Sequence, residues 1–342
     1  MEIDTDLLNK IYNQMADEKS KEIFKNRLMY SISEDSRWVF ENFKYVEDGK
    51  IYRTLKSCVL DKKMVIFGAG IRGEALYRNT RHIVWKCFVD NCPKRDKIDN
   101  IPVLRWDEFI KSYDNEYIFI TPKNKNAEIY KQLIEAGIPE KQIINTGELQ
   151  DQLIKKQYFD LEDMHPNENE IFLDVGGYDG MTSVYFSQWA SKYKKIYIFE
   201  PDENNIEKCY YNIEKYNIRC ELIGRGVWSE DTILKFEANS NESSQISNNG
   251  EYIIPVTTID KACAGKGVSF IKMDIEGAEE QALIGAKQTI INNRPKLAIC
   301  VYHKLDDIWK IPNIILKYNS SYKLFLRHYT YSENDTVLYA VP

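Results

Sequence analysis

No apolar run in this sequence approaches the roughly 20 residues needed to cross a bilayer, so no membrane-spanning helix is expected. The opening residues, MEIDTDLLNK, are acidic and polar and lack the basic start and apolar centre of a secretory signal. There is no CxxC pair among the seven cysteines; Cys87 and Cys92 lie closest together, with no histidine nearby to complete a zinc site. Reduced cysteines in a cytoplasmic protein are the expectation. Basic charge is not in excess either. The formal net charge is −6, with both signs interspersed, which argues against a general binder of nucleic-acid backbone.

What is present is enough for two globular domains: 342 residues, of which 43% are hydrophobic. Residues 1–60 carry Leu7, Leu8, Ile11, Tyr12 and Met15, then Ile23, Phe24, Leu28 and Tyr30, at helical spacing. They predict a helical segment whose apolar faces pack on a neighbouring domain or on a second copy of the chain. Residues 61–147 alternate short apolar runs with helical patterns: MVIFGAG, GEALYRN, KCFVDN, YIFITP, AEIYKQLIEAG and QIIN. That alternation predicts a small parallel sheet flanked by helices.

Residues 148–342 open on a charged connection and continue as a longer α/β series. Its strands are EIFLDVGG, KIYIFEP, IRCELIG, VSFIKMD, KLAICVY, YKLFLRHY and TVLYAVP. Helices are expected over 182–192, 203–215, 279–291 and 306–317. An insertion holding TILKFEA and EYIIPVTTID is expected to form an antiparallel hairpin around the polar loop NSNESSQISNNG. Only TYSEND separates the last two strands, too little for a parallel crossover, so they must be antiparallel neighbours.

Two glycine loops follow strands. In residues 174–180, DVGGYDG runs from a strand into a helix, and Glu200 ends the next strand with Pro201 beside it. Glycine there permits a tight turn and a close backbone approach to a ligand. A carboxylate at Glu200 can accept two hydrogen bonds from ribose hydroxyls. The loop is DxGxxxG rather than GxGxxG, and Asp174 at its head would repel a pyrophosphate. The other loop, in the first α/β unit, is a full GxGxxG: Gly68, Gly70 and Gly73, with Arg72 inside it and Asp90 ending the following strand. That placement suits a nucleotide, with Arg72 facing phosphate.

The runs DVGGYDG, FEP and FIKMDIEGAE, with QYFD before them and LRHY near the end, resemble the FkbM family of S-adenosylmethionine (SAM)-dependent methyltransferases. The likeness extends from about Gln157 to the end of the sequence. It implies a class I methyltransferase fold, a mostly parallel seven-stranded sheet whose last strand is antiparallel, preceded here by a small Rossmann-like domain and the helical segment. It also implies SAM as donor and a hydroxyl acceptor on a glycan or similar product. On that pattern Asp174, Gly176, Gly177, Tyr178, Gly180, Glu200, Pro201 and Asp274 line the cofactor site. Asp174 would meet the donor's ammonium, and Tyr178 stands where many methyltransferases have a glycine. The first unit is similar to Rossmann-like domains beside enzymes of polysaccharide biosynthesis, which makes a nucleotide sugar a conceivable ligand.

Ligands of an open α/β sheet bind beyond the carboxyl ends of its strands. Those ends carry Asp174, Glu200, Asp274 with Glu276, His303 and His328. An alcohol must lose its proton to accept a methyl group, and histidine is best suited to take it. His303 is the first candidate base and His328 the second, or its orienting partner. Asp274 and Glu276 would set the tautomer or bind acceptor hydroxyls. Glu279 and Glu280 read as solvated helix residues. No metal ligand set is assigned, because the spacing of Asp274, Glu276 and a histidine is not diagnostic. The competing readings are an NAD(P)-dependent oxidoreductase acting on a nucleotide sugar through Gly68–Gly73, and a non-catalytic binding module.

Overall fold

A computed structural model describes residues 4–58, 64–237, 245–246 and 252–342. The chain divides into two units. The N-terminal unit comprises Lys25–Lys155 and His328–Asp335; the C-terminal unit comprises Lys156–Arg327 and Thr336–Pro342, joined by the chain up to Phe24. The helical segment is therefore shared rather than a body of its own. Helix Thr5–Gln14 belongs to the C-terminal unit, where Gln14 Nε2 donates to the Tyr322 carbonyl (2.9 Å) and Met15 bridges to Leu324. Helix Arg37–Asn42 turns Val39 and Phe40 into the N-terminal core, with Phe43 just after it, beside Met64, Ile66, Phe88 and Phe119. Helix Thr5–Gln14 packs on helix Asp307–Tyr318 and helix Arg37–Asn42 on helix Ile71–Asn79, each burying apolar residues as an amphipathic helix must.

The N-terminal unit holds a six-stranded sheet in the order Lys97–Ile98, Ile101–Arg105, Trp85–Asp90, Met64–Phe67, Tyr117–Ile120, Ile143–Asn145. All pairs are parallel except the hairpin of the first two. That hairpin was not expected from the sequence, where Pro102 and flanking polar residues mask a strand. The central strand Met64–Phe67 is buried on both faces, which is why it reads as an uninterrupted apolar run.

The C-terminal unit contains the seven-stranded sheet anticipated above. Its order is Lys323–His328, Thr336–Val341, Lys296–Cys300, Phe270–Met273, Ile171–Val175, Lys195–Phe199, Cys220–Ile223. The pairs from Lys296–Cys300 to Cys220–Ile223 are parallel, and Thr336–Val341 runs antiparallel to Lys296–Cys300. The insertion forms an antiparallel pair, Thr232–Glu237 with Tyr252–Thr257. Most of the polar loop 239–250 lies outside the described residues.

One expected helix is two. Glu279–Ile284 and Lys287–Asn293 are separated at Gly285, whose absent Cβ would stand 2.1 Å from the Trp228 carbonyl oxygen. Asp260 starts the second helix by accepting the amides of Gln288 (2.9 Å) and Thr289 (2.7 Å). Beneath the sheet, Phe172 stacks on Phe186 at 4.1 Å, with Phe159 and Phe270 against them. Cys87, Cys209, Cys263 and Cys300 are buried, and none of them forms a disulfide.

Candidate active site

The strand Ile171–Val175 delivers the chain into a loop with no room for side chains at two positions. Gly176 has φ +82°, and a Cβ there would lie 1.9 Å from the Asp274 carbonyl oxygen. A Cβ on Gly177 would lie 2.3 Å from Ile198 Cγ2. Both amides donate to the Phe199 carbonyl at 3.0 Å, stitching the loop to the neighbouring strand. Gly180 (φ +78°) then leads into helix Met181–Trp189. Tyr178 also has positive φ (+50°) and is 42% exposed, an unfavoured backbone for a tyrosine that leaves its ring at the surface of the loop.

Glu200 closes the other side. Its Oε2 accepts the Tyr178 amide (2.8 Å) and its Oε1 the Asp202 amide (2.9 Å). Burial raises its pKa, and those two amides, with the Asn205 side chain, hold the rise back. Pro201, half-buried, follows.

Asp174, expected to meet the donor's ammonium, is engaged inside the protein. It is fully buried; Oδ1 meets Lys272 Nζ at 2.9 Å and Oδ2 accepts the Ser183 hydroxyl at 2.7 Å. Lys272 Nζ also donates to the Gly176 carbonyl (2.6 Å). Asp174 thus acts on the glycine loop through Lys272, and its charge is already matched. Burial works against the Lys272 ammonium, yet Asp174 and Asp274 outweigh it and hold its pKa above the usual value.

The other expected groups gather at the ends of Phe270–Met273 and Lys296–Cys300. Asp274 Oδ2 accepts the Tyr158 hydroxyl (2.9 Å) and Oδ1 the Tyr302 hydroxyl (3.1 Å). His303 Nε2 lies 3.4 Å from Asp274 Oδ1 and 3.7 Å from Glu276 Oε2, while Nδ1 lies 2.9 Å from Glu279 Oε1. Burial alone would pull the imidazole's pKa down; Glu279, with Asp274 and Glu276, overrides it and holds the group up at about 9. In this arrangement His303 is a proton donor near neutrality rather than a ready base. Burial presses the Asp274 carboxyl upward, but His303 and Lys272 prevail and leave it below the usual range.

Three residues of this cluster escaped the sequence reading. Glu279 is not solvated but fully buried, at the start of its helix, with Oε1 also accepting the Ile275 amide (2.9 Å). Its spacing from Glu276, three positions on, was the available signal. Tyr158 and Tyr302 come from distant parts of the chain. Tyr158, in the QYFD run, adopts φ +79°, a strained backbone beside a functional cluster. His328 is not part of the cluster. It falls in the N-terminal unit, 2% exposed, stacked on Phe43 with ring centroids 6.4 Å apart.

Residues 174–332 match the family model described as the methyltransferase FkbM domain. The C-terminal unit belongs to the FkbM methyltransferase family. Residues 60–144 match a second model, described as C2185-like, N-terminal. A crystal structure of an FkbM methyltransferase from Methylobacillus flagellatus KT is similar over 94% of this chain and 99% of that chain, with a TM-score of 0.53 and 18% identity. At that identity the likeness concerns fold alone. Weaker similarities run to Aeropyrum pernix fibrillarin with natively bound SAM (TM-score 0.36, 12% identity, 56% of this chain and 74% of that chain). A putative rRNA methylase from Clostridium thermocellum is similar at TM-score 0.36 and 12% identity, over 57% of this chain and 94% of that chain. No curated protein matches the chain.

Beside the FkbM domain, the GxGxxG loop of the N-terminal unit is closed on itself. Gly68 has φ +114°, and a Cβ on Gly73 would lie 2.0 Å from the Gly68 carbonyl oxygen. Asp90 accepts the amides of Ala69 (3.0 Å) and Cys92 (2.9 Å), so it shapes the loop that it was expected to complement. Arg72 does not project toward a phosphate position: it pairs with Asp151 at 2.8 Å and reaches the Gly147 carbonyl at 3.3 Å. Gly70 alone faces open space. No described helix is long and apolar enough to cross a membrane.

Proposed function

We propose that the FkbM domain is a SAM-dependent methyltransferase that acts on a hydroxyl oxygen of a sugar, glycan or related small molecule. The observation that carries the reading is the pairing of the Gly176–Gly177 turn with the Glu200 carboxylate. The two glycines let the turn fold tightly against the Asp274 backbone and Ile198, and the Glu200 carboxylate stands beside it, accepting the Tyr178 amide of the same loop. That combination fits an adenosine ribose. The head of the loop is neutralised by Lys272 and not basic, which fits a zwitterionic donor better than a pyrophosphate.

When bound, SAM supplies a methyl group on a sulfonium centre, an electrophile that departs from a neutral thioether. The chain's own residues do the rest. Glu200 holds ribose hydroxyls, and Tyr178 borders the donor from the loop. Asp274, Glu276 and His303 stand on the acceptor side, where they orient the hydroxyl. Its proton passes to a carboxylate of this cluster as the carbon–oxygen bond forms. Fixing the oxygen in line with the bond that breaks supplies much of the rate.

Calorimetric titration of the full chain with SAM and with NAD tests the reading. SAM binding without NAD binding is expected; NAD binding with no SAM binding overturns it. A radiolabelled methyl donor offered with capsule sugars, lipopolysaccharide sugars and nucleotide sugars then identifies the acceptor.

A further inference from the structure

Asp274, Glu279 and His303 each bring one donor atom to within 4.8 Å of the other two. Glu276 Oε2 borders the same point, 3.7 Å from His303 Nε2. Three carboxylates gather round one imidazole, Glu279 fully buried and Asp274 and Glu276 with side chains 26% and 34% exposed, and negative charge held at a buried carboxylate is retained only when something answers it.

Lys272 near Asp274 and a protonated His303 answer part of it, and the hydrogen bonding around the imidazole leaves the rest. The His303 side chain is 7% exposed and Glu279 is fully buried. Glu279 Oε2 accepts no hydrogen bond, and neither His303 nitrogen makes a directed one, although carboxylate oxygens stand 2.9–3.7 Å away. Donor atoms that converge at these separations without bonding one another are arranged as ligands are round a cation. Glu279 Oε1 lies 2.9 Å from Nδ1, and Asp274 Oδ1 lies 3.4 Å from Nε2. The second Asp274 oxygen is fixed by the Tyr158 hydroxyl.

We propose that Asp274, Glu279 and His303, with Glu276 at the border, bind a divalent first-row metal ion, for which manganese(II) is the fitting class. Carboxylates favour hard ions such as magnesium and manganese, whereas an imidazole donor favours manganese and its heavier neighbours over magnesium. The ion answers the three carboxylates. If the rim is the acceptor side, as proposed above, it also holds the acceptor oxygen and lowers its proton affinity. That role rests on the methyltransferase reading; the binding of the ion does not.

The test uses the full chain, stripped with a chelator and titrated with manganese(II) while free manganese is read by electron paramagnetic resonance. One site of micromolar affinity is expected. His303→Ala should abolish it, and Glu279→Gln and Asp274→Asn should each weaken it about tenfold or more. Zinc should displace the manganese and equimolar magnesium should not. Circular dichroism of the stripped variants checks folding; should His303→Ala fail to fold, the two isosteric variants carry the test. No saturable binding to millimolar manganese overturns the inference, and so does binding that the variants leave unchanged. SAM titration of the stripped protein is read separately. Retained SAM binding without manganese binding removes only the metal, whereas manganese binding without SAM binding removes only the methyltransferase reading.

Discussion

Lys272 Nζ stands 2.9 Å from Asp174 Oδ1 with both side chains sealed from solvent, and the same ammonium grips the Gly176 carbonyl. The glycine loop is thereby held from beneath by an ion pair. Removing one member leaves a buried charge without its partner, at a cost of roughly 3–5 kcal/mol. Lys272→Met is expected to lower stability by that order in urea denaturation and to weaken SAM binding although Lys272 touches no ligand. Asp174→Asn should do the same. Unchanged affinity in a folded Lys272→Met protein would remove the ion pair from any role in holding the loop.

Glu200→Ala deletes the acceptor of the Tyr178 and Asp202 amides as well as the carboxylate offered to ribose. Glu200→Gln keeps an acceptor and loses the charge. A hydrogen bond to a charged group contributes about 1.5–3 kcal/mol, so the SAM dissociation constant should rise about 10- to 100-fold in Glu200→Gln and further in Glu200→Ala. Calorimetry with S-adenosylhomocysteine reads both. Equal losses in the two variants would mean that shape, not charge, is what Glu200 supplies.

Gly176 and Gly180 separate two kinds of glycine requirement. At Gly180 the added Cβ would meet Cys209 at 3.4–3.7 Å, ordinary contact, so Gly180→Ala carries mainly the left-handed backbone cost of about 1–2 kcal/mol. At Gly176 the Cβ would strike a backbone oxygen at 1.9 Å, which no rotamer relieves. Gly176→Ala is therefore expected to be the more damaging, and to displace the Asp274 end of its strand. Melting temperatures of the two variants compare them directly.

The strands of both sheets, apart from the Lys97–Ile98 and Ile101–Arg105 hairpin, were legible because buried parallel strands read as apolar runs, Met64–Phe67 and Ile171–Val175 among them. The short gap before Thr336 also dictated the antiparallel end. What stayed hidden depends on contacts distant in sequence. Nothing local says that Glu279 turns inward while Glu280 stays half-buried beside Lys310, nor that Tyr158 reaches Asp274 across the domain. His303 and His328 looked alike as strand-end imidazoles. Only packing separates one among carboxylates from one stacked on Phe43. The helix break at Gly285 likewise needed the Asp260 cap and the Trp228 backbone to be in place.

Asp307 gives the acid–base prediction with the clearest sign. It is 1% exposed and starts helix Asp307–Tyr318, its Oδ2 accepting the Lys304 amide at 2.9 Å. Burial and the charge of Glu279 push its pKa up to about 7. In the unfolded chain the same group titrates near 3.9, about the value of a free aspartate. The folded state therefore holds the proton more tightly. Its stabilising contribution is complete below about pH 4, is lost progressively as pH rises to about 7, and changes no further above that. Asp307→Asn preserves an oxygen for the Lys304 amide and cannot ionise. Urea denaturation of chelator-treated protein should show wild-type stability falling between about pH 4 and pH 7 and a flatter profile in Asp307→Asn. The variant should match wild type at the acid end and exceed it at the alkaline end. If instead Asp307→Asn is less stable at every pH, the carboxyl is ionised in the folded state and Lys304, with the helix start, stabilises its charge.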